Sequence, residues 1–194
     1  MFEFLQEIDR VLYEFLNGKL HTPFLDWLMP IITNANTWIP LYVGLLGYMI
    51  YRYRKLFFIP FLGLLISFGI SDPVSAKIIK PIFERTRPCN ETTVKSRVVG
   101  VECRNSFSFP SSHASNHFAI AVFMTLLIGT RKRFGLGFWM IWAGVIAYSR
   151  VYVGVHYPFD IIAGAILGSF IGLVIAIITN KILKKLQNNN AATI

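Results

Sequence analysis

Long apolar stretches alternate with short charged segments along most of this 194-residue chain. Each stretch is nearly free of charge and reaches about 20 residues with its flanks, which is the length that an α-helix needs to cross a bilayer. The five stretches are 37–51, 56–71, 114–130, 134–148 and 161–179. We therefore predict an all-α polytopic membrane helix bundle with five spanning helices. It forms a single domain over residues 1–186, followed by a flexible polar tail at 187–194.

The first 33 residues have a different pattern. Apolar residues within 1–20 recur at helical spacing with charged residues on the opposite side, and Thr22-Pro23 begins a second short segment. Both segments are predicted to be helices that lie in the membrane interface. If residues 1–33 instead cross the bilayer, the chain has six spans and its N-terminus lies on the other side.

The formal net charge of +9 is compatible with nucleic-acid binding, but the positions of the basic residues argue against it. Clusters that contain no carboxylate lie between or after the predicted spans, at 52–55, 131–133 and 181–185. Alternating spans place all three on one side, as the positive-inside rule requires of cytoplasmic segments. We therefore predict no nucleic-acid partner, and we predict that the loop 72–113 and the turn 149–160 share the extracytoplasmic face.

The turn between the last two predicted spans carries an arginine, a histidine and a carboxylate, Arg150, His156 and Asp160. Pro158 suits the first turn of the following helix, and Asp160 falls in that turn, four residues after His156. The carboxylate can accept a proton from one ring nitrogen and leave the other free to react. This is the arrangement of a nucleophile or base with its orienting group. In isolation, the pair also fits an ordinary histidine near a helix end.

Two further groups of residues lie upstream of this turn. Lys80 and Arg87 are separated by six residues after the second span, and such a pair of cations suits a tetrahedral oxyanion. Ser111, Ser112 and His113 lie immediately before the third span, where a helix N-terminus offers unpaired N–H groups to an anion. Each group alone also fits an ordinary role, a basic surface loop in the first case and a serine helix cap in the second.

Together the three groups resemble the type 2 phosphatidic acid phosphatase superfamily, whose site is shared with vanadium-dependent haloperoxidases. The family pattern is Lys, six residues, Arg-Pro; then Pro-Ser-Gly-His; then Ser-Arg, five residues, His, three residues, Asp. Order and spacing agree throughout residues 80–160, and the one departure is Ser112 in place of the glycine. The matching residues are Lys80, Arg87, Pro88, Pro110, Ser111, His113, Ser149, Arg150, His156 and Asp160.

The resemblance implies a phosphatase that needs neither a metal nor a cofactor. His156 would attack phosphorus, Asp160 would orient it, and His113 would protonate the leaving oxygen. Ser149 would have a supporting role. The non-bridging oxygens would be held by Lys80, Arg87, Arg150, Ser111 and the N–H of Ser112.

A site at the mouth of spanning helices favours a substrate whose tail stays in the lipid. We therefore predict a membrane lipid phosphate or diphosphate monoester; family substrates include phosphatidylglycerophosphate, phosphatidic acid, undecaprenyl diphosphate and lipid A phosphate. The compact chain resembles bacterial members, which predicts the inner (plasma) membrane with the site on its extracytoplasmic face. One alternative is phosphotransfer from the lipid to an acceptor other than water. Another is a non-catalytic protein that binds anionic lipids, which leaves the spacing of His113, His156 and Asp160 unexplained.

Cys89 and Cys103 are the only cysteines in the chain, and both fall in the predicted outer loop. In an oxidising compartment they can form a disulfide that closes this loop. Such a bridge would tie Arg87 to the segment that leads into Ser111. Two free thiols are the alternative.

Overall fold

The computed structural model describes residues 2–128 and 133–192. Within these ranges every regular element is helical, which confirms the predicted all-α fold. The α-helices are α1 (Phe2–Tyr13), α2 (Pro23–Thr33), α3 (Ile39–Tyr53), α4 (Phe58–Pro73), α5 (Lys80–Phe83), α6 (Ser112–Ile128), α7 (Arg133–Tyr152) and α8 (Pro158–Ala192). The side chains of the predicted basic cluster at 131–133 lie outside the described residues.

Among the described residues, two continuous helices are long and apolar enough to cross a membrane, Phe58–Phe83 and Pro158–Asn189. The first is formed by α4, a π-helical segment at Val74–Ile79 and α5. α6 is a shorter apolar helix. Large apolar side chains such as Leu65 and Ile166 are exposed on the outside of the bundle, as expected where acyl chains cover it. The count of five spans, or six, remains a prediction.

α8 is longer than the sequence predicts. It continues through Ala192, well past the apolar stretch 161–179, because neither glycine nor proline interrupts residues 180–192. The flexibility of the tail remains a prediction.

α6 is the central helix, and glycines let α8 approach it closely. At three positions spaced by four residues along α8, an added Cβ would overlap the backbone of α6 or of the residue before it. Small residues at such positions are how membrane helices bring their backbones together. The pairs are Gly164 with Ser111, Gly168 with Ser115 and Gly172 with Ala119. The close approach places the start of α6 beside the start of α8.

Hydrogen bonds between side chains join α4 to the same end of α6. Interhelical bonds of this kind average about 0.6 kcal/mol in membrane proteins, so they set the register of the two helices more than they stabilise the fold. The pairs are Ser71 with Ser115 at 2.7 Å, Asp72 with Asn116 at 2.9 Å and Ser75 with Ser112 at 2.9 Å. They hold the end of the Phe58–Phe83 helix next to the start of α6.

α1 packs beside the start of α8 and presents one polar and one apolar side. Asp9 points inward and is fully buried, whereas Phe4, Val11 and Leu12 are exposed. Asn17, just after α1, is also buried; its side-chain amide donates to the Tyr152 carbonyl over 2.7 Å. These contacts fix the N-terminal segment to the turn that follows α7. Its interfacial position remains a prediction.

Candidate active site

A histidine and a carboxylate meet in the turn between α7 and α8. α8 begins at Pro158, which places Asp160 in its first turn, with its Oδ2 3.2 Å from Nδ1 of His156. On the other side of the ring, Nε2 lies 3.1 Å from Nη1 of Arg87. A carboxylate only accepts and a guanidinium only donates, so these partners assign the proton to Nδ1 and the lone pair to Nε2. The Nε2 lone pair therefore points towards a cation that can hold a phosphate.

His156 lies in the turn outside the helices and is 2% exposed. Burial lowers the pKa of His156 well below its usual value, and the neighbouring Asp160 only partly opposes this shift. The ring is therefore neutral at physiological pH, which is the form that can act as a nucleophile.

Asp160 is fully buried, and every side of its carboxylate has a partner. Oδ1 accepts from Arg85 over 2.8 Å, and Oδ2 accepts from the Tyr157 N–H over 2.9 Å. Oδ2 also accepts from the Ser108 hydroxyl over 2.5 Å. These bonds hold the carboxylate in one orientation and thereby hold the ring of His156.

Two predicted phosphate-binding cations come from the region after α4. Lys80 belongs to the end of the Phe58–Phe83 helix and donates to the Phe107 carbonyl over 2.7 Å. Arg87 donates through Nε to the Ser106 carbonyl over 2.8 Å. Lys80 and Arg87 are each only 7% exposed. Burial lowers the pKa of Arg87, and Asp160 opposes this shift, so the guanidinium remains charged.

The third cation, Arg150, extends from the end of α7. Its Nη1 donates to the Thr33 hydroxyl over 2.7 Å, while its buried Nε has no hydrogen-bond partner among the described residues. Its positive charge acts on both Lys80 and His113. Cations that repel one another favour an anion between them, and phosphate fits this requirement.

The start of α6 contributes serines with different roles. The N–H of Ser111 donates to the Asp160 carbonyl over 3.0 Å, and the Ser111 hydroxyl accepts from Ala114 over 3.5 Å as a helix cap. The hydroxyl of Ser112 accepts a hydrogen bond from the hydroxyl of Ser75. Its backbone N–H is in the first turn of α6 and has no partner among the described residues. The N–H of Ser112, more than that of Ser111, is therefore available for an anion.

His113 and Ser149 complete the predicted set. The His113 ring stacks on His117, with centroids 6.2 Å apart, and makes no hydrogen bond with described residues. The Ser149 hydroxyl donates to the Ile146 carbonyl of its own helix over 2.7 Å, so it supports α7 locally.

Sequence reasoning missed the residues that support Asp160. Arg85 is not among the residues predicted from the sequence, yet it forms ion pairs with Asp160 at 2.8 Å and with Asp9 at 2.7 Å. Its position two residues before Arg87 was the available signal. No signal in the sequence pointed to Asp9 or Ser108, because both lie outside the three motifs.

Two segments of the outer loop are joined to each other beside Arg87. Cys89 and Cys103 form a disulfide with their Cα atoms 6.1 Å apart, and Asn90 donates to the Arg104 carbonyl over 3.2 Å. Ser106 then accepts from Arg87. The exposed Arg104 side chain makes no hydrogen bond or ion pair with described residues, and its charge acts on Arg87. The loop therefore places an additional cation at the site.

A cavity of about 640 Å³ lies on the other side of Arg85. It is bordered by α1, the end of α5 and the outer loop, and its lining includes Asp9, Arg85, Tyr157 and Phe159. It does not reach Lys80, Arg87, His113 or His156. It is thus separate from the predicted phosphate-binding residues.

A buried histidine and carboxylate, three cations and a helix start are the groups that a phosphoryl-transfer site requires, and they lie together in an all-helical fold. The family model of the PAP2 superfamily, the type 2 phosphatidic acid phosphatases, matches residues 52–184. The chain belongs to that superfamily, which confirms the resemblance carried by the three motifs.

Relatives and a solved structure agree with this assignment. A lipid A 4'-phosphatase from Bacteroides thetaiotaomicron is 36% identical over 195 residues, covering 97% of this chain and 84% of that protein. A lipid A 4'-phosphatase from Porphyromonas gingivalis is 32% identical, covering 88% of this chain and 72% of that protein. The crystal structure of a transmembrane PAP2-type phosphatidylglycerolphosphate phosphatase from Bacillus subtilis superposes with a TM-score of 0.71 at 26% identity, covering 92% of this chain and 87% of that one. The fold is therefore that of a PAP2 membrane phosphatase.

Proposed function

We propose that this protein is a metal-independent membrane phosphatase that hydrolyses a lipid phosphate or diphosphate monoester through a phosphohistidine at His156. The observation that carries the proposal is the pair of contacts on the His156 ring, with Nδ1 3.2 Å from Asp160 and Nε2 3.1 Å from Arg87. The names of the relatives support the lipid substrate.

In the first step, the Nε2 lone pair of His156 attacks phosphorus and the bond from phosphorus to the leaving oxygen breaks. His113 donates a proton to that oxygen, and the negative charge of the incoming phosphate favours the protonated form of His113. The phosphorylated ring carries a positive charge, which Asp160 stabilises. Lys80 and Arg87 neutralise the non-bridging oxygens, together with Arg150 and the N–H of Ser112.

In the second step, water attacks phosphorus and the bond from phosphorus to Nε2 breaks. His113, now neutral, accepts a proton from the water, so both histidines return to their starting forms. The product is inorganic phosphate. The three cations again stabilise the charge on the equatorial oxygens.

Lipid A 4'-phosphate is the substrate that we propose to test first, because both relatives named above are lipid A 4'-phosphatases. The site lies where α5 ends and where α6 and α8 begin, so a lipid can keep its tails in the bilayer while its phosphate enters. We place this end on the extracytoplasmic face of a bacterial membrane.

Phosphate release by purified protein in detergent tests the proposal. The panel contains lipid A, phosphatidylglycerophosphate, phosphatidic acid and undecaprenyl diphosphate, with vanadate or a metal chelator added in parallel. We expect turnover of at least one lipid, inhibition by vanadate and no effect of the chelator. Absence of turnover would favour a non-catalytic lipid-binding protein, and phosphate appearing on an added acceptor alcohol would favour phosphotransfer.

A further inference from the structure

Arg85 bridges two carboxylates that come from opposite ends of the chain. Its Nη2 lies 2.7 Å from Oδ2 of Asp9 in α1, and its Nη1 lies 2.8 Å from Oδ1 of Asp160 in α8. Both carboxylates are fully buried. The guanidinium also lies over the ring of Tyr157, with Cζ 4.0 Å from the centroid. This packing leaves Arg85 little freedom to move away from either partner.

Asp9 holds the same region through a second contact. Its Oδ1 accepts from the backbone N–H of Phe159 over 2.8 Å, in the first turn of α8. That N–H has no partner within its own helix, so Asp9 acts as a cap supplied by a distant helix. Asp9 therefore fixes the backbone next to Asp160, while Arg85 fixes the Asp160 carboxylate itself.

The charges of this group also matter for the reaction. Asp9 balances the charge of Arg85, so Asp160 keeps most of its attraction for the positive ring that forms on His156. Without Asp9, the unbalanced Arg85 would weaken that attraction. Without Arg85, two buried carboxylates would remain with no cation between them, which is a costly arrangement.

We propose that Arg85 and Asp9 are positioning residues for the Asp160–His156 pair, and that α1 is thereby part of the catalytic apparatus. This inference rests on the proposed function, because it requires His156 to be the nucleophile. Neither residue touches the reacting phosphate. Both act by fixing where Asp160 lies and how much of its charge reaches His156.

The chain offers a matched control for a test by mutation. Arg97 of the outer loop forms an ion pair with Asp26 of α2 at 2.6 Å, which is also a link between an N-terminal helix and that loop. We compare Asp9→Asn and Arg85→Gln with Asp26→Asn and Arg97→Gln. Steady-state kinetics on the best lipid phosphate gives kcat and KM, and rapid quench gives the rate of phosphohistidine formation. Thermal unfolding in detergent reports the folded fraction to which rates are normalised.

We expect kcat and the rate of phosphohistidine formation to fall on the order of 100-fold in Asp9→Asn and Arg85→Gln, since a small misplacement of a catalytic group has that effect. KM should change little, because Lys80, Arg87 and Arg150 are intact. Arg85→Lys should recover part of kcat by restoring the charge. Both control variants should behave like the wild type.

Equal kcat in the Arg85 and Arg97 variants would overturn the inference. So would a rise in KM at constant kcat, which would make Arg85 a substrate contact. Should Arg85→Gln fail to fold, the same comparison is made with Arg85→Lys and Asp9→Asn. Wild-type protein that is inert on every lipid phosphate would instead remove the proposed function, and with it this inference.

Discussion

The two histidines of the site differ in how firmly they are held. His156 has a partner on each ring nitrogen, whereas the ring of His113 makes no hydrogen bond with the described residues. A nucleophile benefits from a fixed lone pair. A proton carrier must face first the leaving oxygen and then water, so it benefits from freedom. The difference in contacts therefore supports His156 as nucleophile and His113 as acid.

His113→Ala should slow hydrolysis of a lipid phosphate by about 10²- to 10⁴-fold, which is the usual contribution of a general acid. Nitrophenyl phosphate has a leaving group that needs no proton, so formation of the phosphoenzyme from it should be nearly unchanged. Rapid-quench measurement with both substrates checks the prediction. Equal losses on the two substrates would show that His113 does more than donate a proton.

Arg104 is exposed, its charge acts on Arg87, and it has no ion-pair partner among the described residues, so its charge is available to an incoming phosphate. Arg104→Gln should raise KM up to about fivefold, the range of an exposed ion pair. Lys95→Gln removes the same charge from the same loop and should leave KM unchanged. Added salt should narrow the difference, since it screens exposed charges. Equal KM values in both variants at low salt would place Arg104 outside the substrate's reach.

At the scale of elements, the sequence predicts what depends on local spacing. The contact between His156 and Asp160 could be predicted, because the two residues are about one helical turn apart and Pro158 starts α8 between them. The ion pairs of Arg85 with Asp9 and Asp160 could not be predicted from local spacing, because three segments that are distant in sequence must first be packed together. The close approach of Gly164 to Ser111 is likewise a tertiary property, since a glycine in an apolar run has no distinctive pattern.

The disulfide makes the outer loop a defined element. Alkylation of the denatured protein without reductant should give no mass shift, because Cys89 and Cys103 are joined across a sequence separation of 14 residues. Reduction should lower the free energy of unfolding by about 3 kcal/mol according to the loop-entropy model. Two alkylated cysteines in the unreduced protein would contradict this account.

At the scale of the molecule, α8 relates the site to the predicted cytoplasmic charges. Pro158 begins this helix beside His156, and the basic cluster 181–185 lies near its other end. At 1.5 Å per residue, Lys185 is about 40 Å from the start of the helix, which is the thickness of a bilayer with its headgroups. The length of α8 is thus consistent with a site on one face and the basic residues on the other.

Thiol labelling in intact cells tests this orientation. A cysteine introduced at Lys95 should react with a membrane-impermeant reagent, and one introduced at Lys132 should not. The native cysteines do not compete, because they are joined in the disulfide. Reaction at Lys132 with protection at Lys95 would invert the orientation and place the site on the cytoplasmic face.

Direct detection of the phosphoenzyme tests the central claim. Wild-type protein and His156→Ala are mixed with radiolabelled lipid phosphate, quenched in alkali within milliseconds and mapped by mass spectrometry. We predict a phosphoryl group on His156 of the wild type that forms and decays at rates compatible with turnover, and none in His156→Ala. A phosphoryl group on His113, or a phosphoenzyme formed by His156→Ala, would contradict the assignment of His156 as the nucleophile.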